Sequence, residues 1–220
     1  MTPWEKLDVA HAIDGTELSL WRRGTEHVIR AGTLDLMSSR VHGSEEILAE
    51  LGCAGLQPDA SVLVGGLGMG FTLRRALDLL APTARVVVAE VHPSVVAWVR
   101  GPLCELADRP LDDPRVTVDA RDVALTLGDH GPFDAILLDV DNGPSAVSQR
   151  SNARLYGSAG IARMTRALRP GGKLLVWSAR DDRRFSATLA SAGLRVETAH
   201  ARANRADGAR HVVFVATSPS

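Results

Sequence analysis

The sequence predicts an α/β fold: a mainly parallel seven-stranded sheet that closes with a C-terminal antiparallel hairpin, preceded by a small N-terminal β-hairpin. Three observations carry this prediction. From about Asp59 onward, short β-branched runs alternate with segments of helical spacing, the pattern of a parallel sheet covered on both faces. One run, FDAILLDV (133–140), is almost continuously apolar, as a centrally buried parallel strand should be. The last two apolar runs, LRVETAHA and HVVFVAT, flank the polar NRADGA and suit antiparallel pairing.

The elements follow in order. TELSLWRRGTEHVIRAGTLDLM alternates around turn-like RRGTE and RAGT, which suggests the N-terminal hairpin, within a segment 1–42. SEEILAELGCAGL then reads as a helix, with the Ser44 hydroxyl placed to cap its free amides. It leads into the α/β domain, 43–220. SVLVGG, ARVVVAE, PRVTVDAR, FDAILLDV and KLLVWSA are the five parallel strand candidates. Between them lie helices: GFTLRRALDLLA, then HPSVVAWVRGPL, whose Pro93 suits a first helical turn. DVALTLG follows, then SAGIARMTRALRPGG, stopped by Pro170 and Gly171. DRRFSATLASAG is the last helix.

Composition excludes several functions. The 25 Lys and Arg against 26 Asp and Glu leave a net charge of −1, which argues against nucleic-acid affinity driven by charge. An NPPY-type loop of base-modifying enzymes is also missing. The two cysteines, Cys53 and Cys104, form no CxxC, and the seven histidines form no HxH or HExxH, so no metal is expected. The N-terminal MTPWEKLDVA lacks signal-peptide features, and no run reaches the roughly 18 apolar residues of a membrane span. The expectation is a soluble, cytoplasmic protein. A hairpin with so small an apolar face is not stable alone; it must pack on the sheet domain, on a second subunit, or on both, and a homodimer is expected.

The chemistry centres on VLVGGLGMG. Gly65, Gly66, Gly68 and Gly70 follow the first strand of the α/β domain, where a loop nearly free of side chains lets backbone approach a ligand. Phe71 stands where a dinucleotide fold places its third glycine, which counts against NAD. Glu90, with Val91 after it, closes the second strand about 20 residues beyond the loop, where a carboxylate can accept both ribose hydroxyls. Asp119 and Asp122 compete to read the adenine. Counting from Pro114, Asp119 leaves a strand of about four residues, shorter than its neighbours. Asp122, with Val123 beside the ring, is therefore preferred; either aspartate also reads as a helix cap. The three strand ends together point to an adenosine site.

With these residues the chain resembles the Rossmann-like class I S-adenosylmethionine-dependent methyltransferase fold, and within it the spermidine synthase-like branch. The doubled glycine of VGGLGMG, DPRVTV, FDAILLDVDNGP with a later LY, RALRPGGKLLVWS, and LMSSRVHGSEEILAEL after the hairpin carry the resemblance. It implies an adenosyl cofactor and a homodimer. The sequence departs from the branch at two places. The aspartate of that family's GGGDGG loop falls on Gly68, which removes a charge that would repel the carboxylate of intact S-adenosylmethionine. The family's Tyr-x-Glu segment, which faces the polyamine, is replaced by Ser44, Glu45 and Glu46.

The fourth strand ends in LDVDNGP, where this fold presents the sulfonium to its acceptor. Asp139 matches the aspartate that in aminopropyltransferases helps deprotonate the attacking amine; in a methyltransferase the resemblance implies that the same carboxylate holds the cofactor's amino group or orients a substrate amine. Asp141 and Asn142 are further catalytic candidates, although with Gly143 they also read as an Asx-Gly turn. His42, Glu46, Tyr156 and Trp177 are substrate candidates. Each has a plainer alternative: an exposed histidine, a helix-start charge, a packing tyrosine, a core tryptophan. The function expected is S-adenosylmethionine-dependent methyl transfer to a small-molecule acceptor, an amine among the possibilities. The alternatives are aminopropyl transfer from decarboxylated S-adenosylmethionine, and cofactor binding without catalysis.

Overall fold

The computed structural model describes residues 2–12, 15–140, 144, 155–203 and 208–220. The chain opens with β1 (Glu5–His11), β2 (Glu17–Arg23), β3 (Glu26–Ala31) and β4 (Leu34–Ser38), an antiparallel sheet in that order. The predicted hairpin is its centre. Arg23 pairs with Glu26 across a two-residue turn whose Gly24 takes φ +62°, the left-handed start that such tight hairpin turns require. The outer strands β1 and β4 extend it to four. Their residues are all exposed or half-buried.

Helix α1 (Gly43–Cys53) follows, with β5 (Ser61–Gly65), α2 (Phe71–Leu79), β6 (Arg85–Ala89), α3 (Pro93–Arg100), β7 (Val116–Asp119), α4 (Val123–His130) and β8 (Phe133–Leu138) after it. After the second described stretch come α5 (Ser158–Ala167), β9 (Leu168–Ser178), α6 (Arg183–Ser191), β10 (Arg195–Arg202) and β11 (Arg210–Thr217). The second sheet runs β10-β11-β9-β8-β5-β6-β7, with β11 antiparallel to both neighbours and the rest parallel. This is the predicted seven-stranded arrangement.

Alternation along the strands builds two cores. Val62 and Val64 of β5, with Ala135 and Leu137 of β8, face α1, α2 and α3. Leu63, Ile136 and Leu138 face α4, α5 and α6. Leu18, Leu20 and Ile29 of the N-terminal sheet join the first core, and the Trp98 indole of α3 donates to Asp8 Oδ2 of β1 at 2.7 Å. The two sheets thus share one apolar interior.

Three local expectations are corrected. His42, not Ser44, is the N-cap of α1, and no side chain caps that end; Ser44 lies inside the first turn. Helix α5 ends at Ala167, before Pro170, because Leu168 is already extended and begins β9; a residue before proline is itself pushed away from helical backbone, so the stop propagates backward. Strand β7 ends at Asp119 rather than running on to Asp122.

Leu48 of α1 has no exposed surface and sits in the first core. Leu48→Ala is expected to lower unfolding stability by about 2–5 kcal/mol, measured by urea denaturation. A loss well under that range would show that α1 is not docked as described.

Candidate active site

The order of the second sheet reverses at β5, whose neighbours are β6 and β8. A crevice therefore opens beyond its carboxyl end, the place where open α/β sheets bind ligands. The glycine loop fills the rim of that crevice. Gly66, Gly68 and Gly70 adopt φ of +87°, +53° and +90°, backbone that only glycine takes freely. At Gly66 the need is also steric, since a Cβ would run into the carbonyl oxygen of Asp139. The amide of Asp139 donates to Gly65 O at 2.8 Å, so loop and β8 end are held edge to edge. Val123 packs against the base of the loop, its Cγ2 lying 2.9 Å from where a Gly65 Cβ would stand.

Glu90 lies just past the end of β6 and is almost wholly buried. Its carboxylate accepts from Leu67 N at 3.0 Å and His92 N at 2.9 Å. One oxygen thus holds the loop and the other holds the turn into α3. A carboxylate is acceptor-only and offers two oxygens, so the chemistry of the residue fits the role its position suggests. Val91 follows it, half-buried.

At the next strand end the two aspartates differ sharply. Asp119, the last residue of β7, is clamped by Arg121 at 2.6 and 2.7 Å and by the Thr126 hydroxyl at 2.9 Å. The Arg121 guanidinium holds its carboxyl below the usual range. Asp122 is the exposed N-cap of α4, its Oδ1 accepting from Ala124 N at 2.7 Å. The clamp on Asp119 explains the early end of the strand. It leaves Asp122 the more accessible carboxylate.

Asp139 lines a small cavity with Met37, Glu45, Leu67, Phe71 and Thr72. The Thr72 hydroxyl donates to Asp139 Oδ2 at 2.9 Å, and the Ser44 hydroxyl donates to Glu45 Oε2 at 2.7 Å. Burial pushes the Glu45 carboxyl up to about 7, with the Asp139 charge adding to it; burial likewise pushes Asp139 up to about 6 against the Thr72 hydrogen bond. Two carboxyls that resist ionising together are well suited to a cation, which would restore both charges. Met37, from β4, roofs the site: a Cβ on Gly68 would stand 2.6 Å from its Sδ.

The remaining candidates separate. His42 stacks on Phe71 at 4.0 Å, its Nδ1 2.8 Å from Glu46 Oε1, so both stand beside the cavity. Trp177 packs against the first core and meets the His211 ring edge-on at 4.7 Å. Tyr156 belongs to the second core, its hydroxyl 3.3 Å from Val140 O and its ring against Phe185; the cavity is lined without it. Asp141 and Asn142 lie outside the described residues. Sequence reasoning passed over Thr72, Met37 and His211. Thr72 was within reach, as the second residue after the last loop glycine; Met37 and His211 come from remote strands and carry no local signal.

The raised Glu45 carboxyl has a pH consequence. Unfolded, the group releases its proton near its ordinary value of 4.5, whereas the folded chain retains it to about 7. Stability therefore falls as pH rises through that window. Glu45→Gln should melt at higher temperature than the wild type above pH 7, the gap closing below pH 4. A pH-independent offset in thermal melts would contradict the burial of this carboxyl.

Among the described residues no cluster of three or more His, Cys, Asp or Glu is placed to hold a metal ion, and no helix is long and apolar enough to cross a membrane. No protein-family model matches the sequence, and no curated protein matches it. Solved structures do match. Spermidine synthase in complex with the transition state analogue AdoDATO superposes with TM-score 0.75 at 16% identity, over 96% of this chain and 72% of that one. Spermidine synthase from Thermotoga maritima gives the same values. Precorrin-6y C5,15-methyltransferase from Geobacter metallireducens GS-15 gives TM-score 0.58 at 16% identity, over 79% of this chain and 88% of that one. The chain has the Rossmann-like α/β fold of class I methyltransferases, shared with the two spermidine synthase structures over 96% of its length.

Proposed function

We propose that this protein is an S-adenosylmethionine-dependent transferase that methylates a small-molecule acceptor, an amine by preference. The observation that carries the reading is the convergence, at the ends of β5, β6 and β8, of a left-handed glycine loop, the buried Glu90 and the cavity-lining Asp139. When bound, S-adenosylmethionine supplies an electrophilic carbon whose bonding electrons return to sulfur as an acceptor's lone pair attacks. Glu90 would hold the ribose, Asp122 the adenine edge, and the loop amides and Asp139 the methionine part.

The protein's own contribution is alignment and a base. Asp139 and Glu45 face one cavity with carboxyls titrating near neutrality, so each can take a proton from an ammonium group that must become neutral before it attacks. Methyl rather than aminopropyl transfer is favoured by Gly68. Its backbone is left-handed and Met37 lies against it, so this position carries neither the acid of the aminopropyltransferase loop nor ready space for one. Aminopropyl transfer remains the second reading, supported by the likeness to spermidine synthases over 96% of the chain.

Calorimetric titration with S-adenosylmethionine and with its decarboxylated form tests this. The intact cofactor should bind tighter, and Glu90→Ala should weaken it by about ten- to a hundredfold, the worth of hydrogen bonds to a charged group. Preference for the decarboxylated form would favour aminopropyl transfer. Binding of neither would overturn the adenosine site itself.

A further inference from the structure

The cavity carboxyl Glu45 is connected to a residue at the far end of the chain. Its Oε2 accepts from the Ser44 hydroxyl at 2.7 Å, and Ser44 Oγ lies 3.1 Å from Nδ1 of His211 on β11. Ser44 is almost completely buried, whereas His211 is half-buried. The contact depends on the tertiary fold, since α1 lies over the β9–β11 end of the sheet and its first residue is fixed by Gly43 N donating to Ala203 O at 2.8 Å. Trp177 holds the imidazole edge-on from β9.

We propose that Ser44 and His211 form a proton exit from the reaction cavity, by which a proton delivered to Glu45 leaves through the serine hydroxyl and the imidazole ring. A serine hydroxyl has one proton and two lone pairs, so the chain has only two consistent directions. With Glu45 ionised, His211 Nδ1–H donates to Ser44, which donates to Glu45. With Glu45 protonated, its O–H donates to Ser44, the hydroxyl turns to donate to Nδ1, and the ring carries its proton on Nε2.

Passage of one proton uses both. An acceptor ammonium gives its proton to the Glu45 carboxylate and keeps the N–H electron pair for attack. The ring exchanges its Nδ1 proton for one on Nε2 through solvent, Glu45 passes its proton to Ser44 Oγ as the serine proton moves to the vacated Nδ1, and the imidazolium so formed loses its Nε2 proton to solvent. No other group is consumed. His211 acts through Ser44 and Glu45 and is a positioning and relay residue. Burial pushes its ring below the ordinary histidine range, so it is neutral where Glu45 titrates and free to change tautomer.

The charged and titratable groups around this chain are Glu45 and Glu46 on α1, His42 at its N-cap, Asp139 at the end of β8, and Arg210 next to His211 on β11. Trp177 from β9 and Ala201, the register partner of His211 on β10, bring no charge. Asp139 and Glu46 both raise the Glu45 carboxyl, which places its titration where the ring can respond.

The inference rests on the transferase reading for its purpose, but its test needs neither cofactor nor acceptor. Nitrogen-15 NMR of the histidine rings in the full chain, with His211→Gln to assign the signal, reports which nitrogen bears the proton. In the wild type the protonated nitrogen of His211 should change from Nδ1 above pH 8 to Nε2 as Glu45 takes up its proton near neutrality. In Ser44→Ala and in Glu45→Gln it should not change with pH. A fixed tautomer in the wild type from pH 6 to 9, or a switch that survives Ser44→Ala, would overturn the relay. Failure to bind S-adenosylmethionine by calorimetry would instead sink the transferase reading and leave the NMR result standing.

Discussion

The close approach of β5 to β8 at the sheet's switch point is the constraint on which the rest of the site depends. Gly65 accepts the Asp139 amide at 2.8 Å, and Gly66 turns away in a left-handed conformation with no Cβ between itself and the Asp139 carbonyl. Any side chain at Gly66 would separate the two strand ends. The loop would then lose its position under Glu90, and Asp139 would lose its contact with Thr72. A local backbone requirement thus sets the distances among the groups of the candidate site.

Helix α1 transmits a second constraint. It packs its apolar face on the first core through Leu48 and Ala49, and this docking delivers its first turn to the cavity. Glu45 would be an ordinary solvated acid at a helix start, stabilised by the dipole, were it not for the roof that β4 and Met37 provide. Burial changes it into a group titrating near 7. The N-terminal sheet, tied down by Asp8 on Trp98 and by Leu18 and Leu20 in the shared core, therefore decides the acidity of a residue it does not contain.

Much of the α/β architecture was legible because its signals are local. The apolar runs of β5, β6 and β8, the glycines after β5 and Pro93 at the start of α3 each mark an element within a few residues. The errors came where a distant contact overrode the local cue. Asp122 reads as the strand end until Arg121 and Thr126 are seen to hold Asp119 and turn the chain early. Ser44 reads as a helix cap, yet its hydroxyl is engaged by Glu45 and His211.

The sequence by itself determined the sheet's class, the placement of the glycine loop after β5, and Glu90 and Asp139 as candidates just past the ends of β6 and β8. These follow from periodicity and backbone freedom, which act over one or two turns of chain. Only the tertiary structure decided which carboxyls share a cavity, which are buried enough to hold protons near neutrality, and that Ser44 meets His211 across 167 positions. Desolvation and through-space contact depend on what surrounds a group, and that is fixed when α1, β4 and β11 come together.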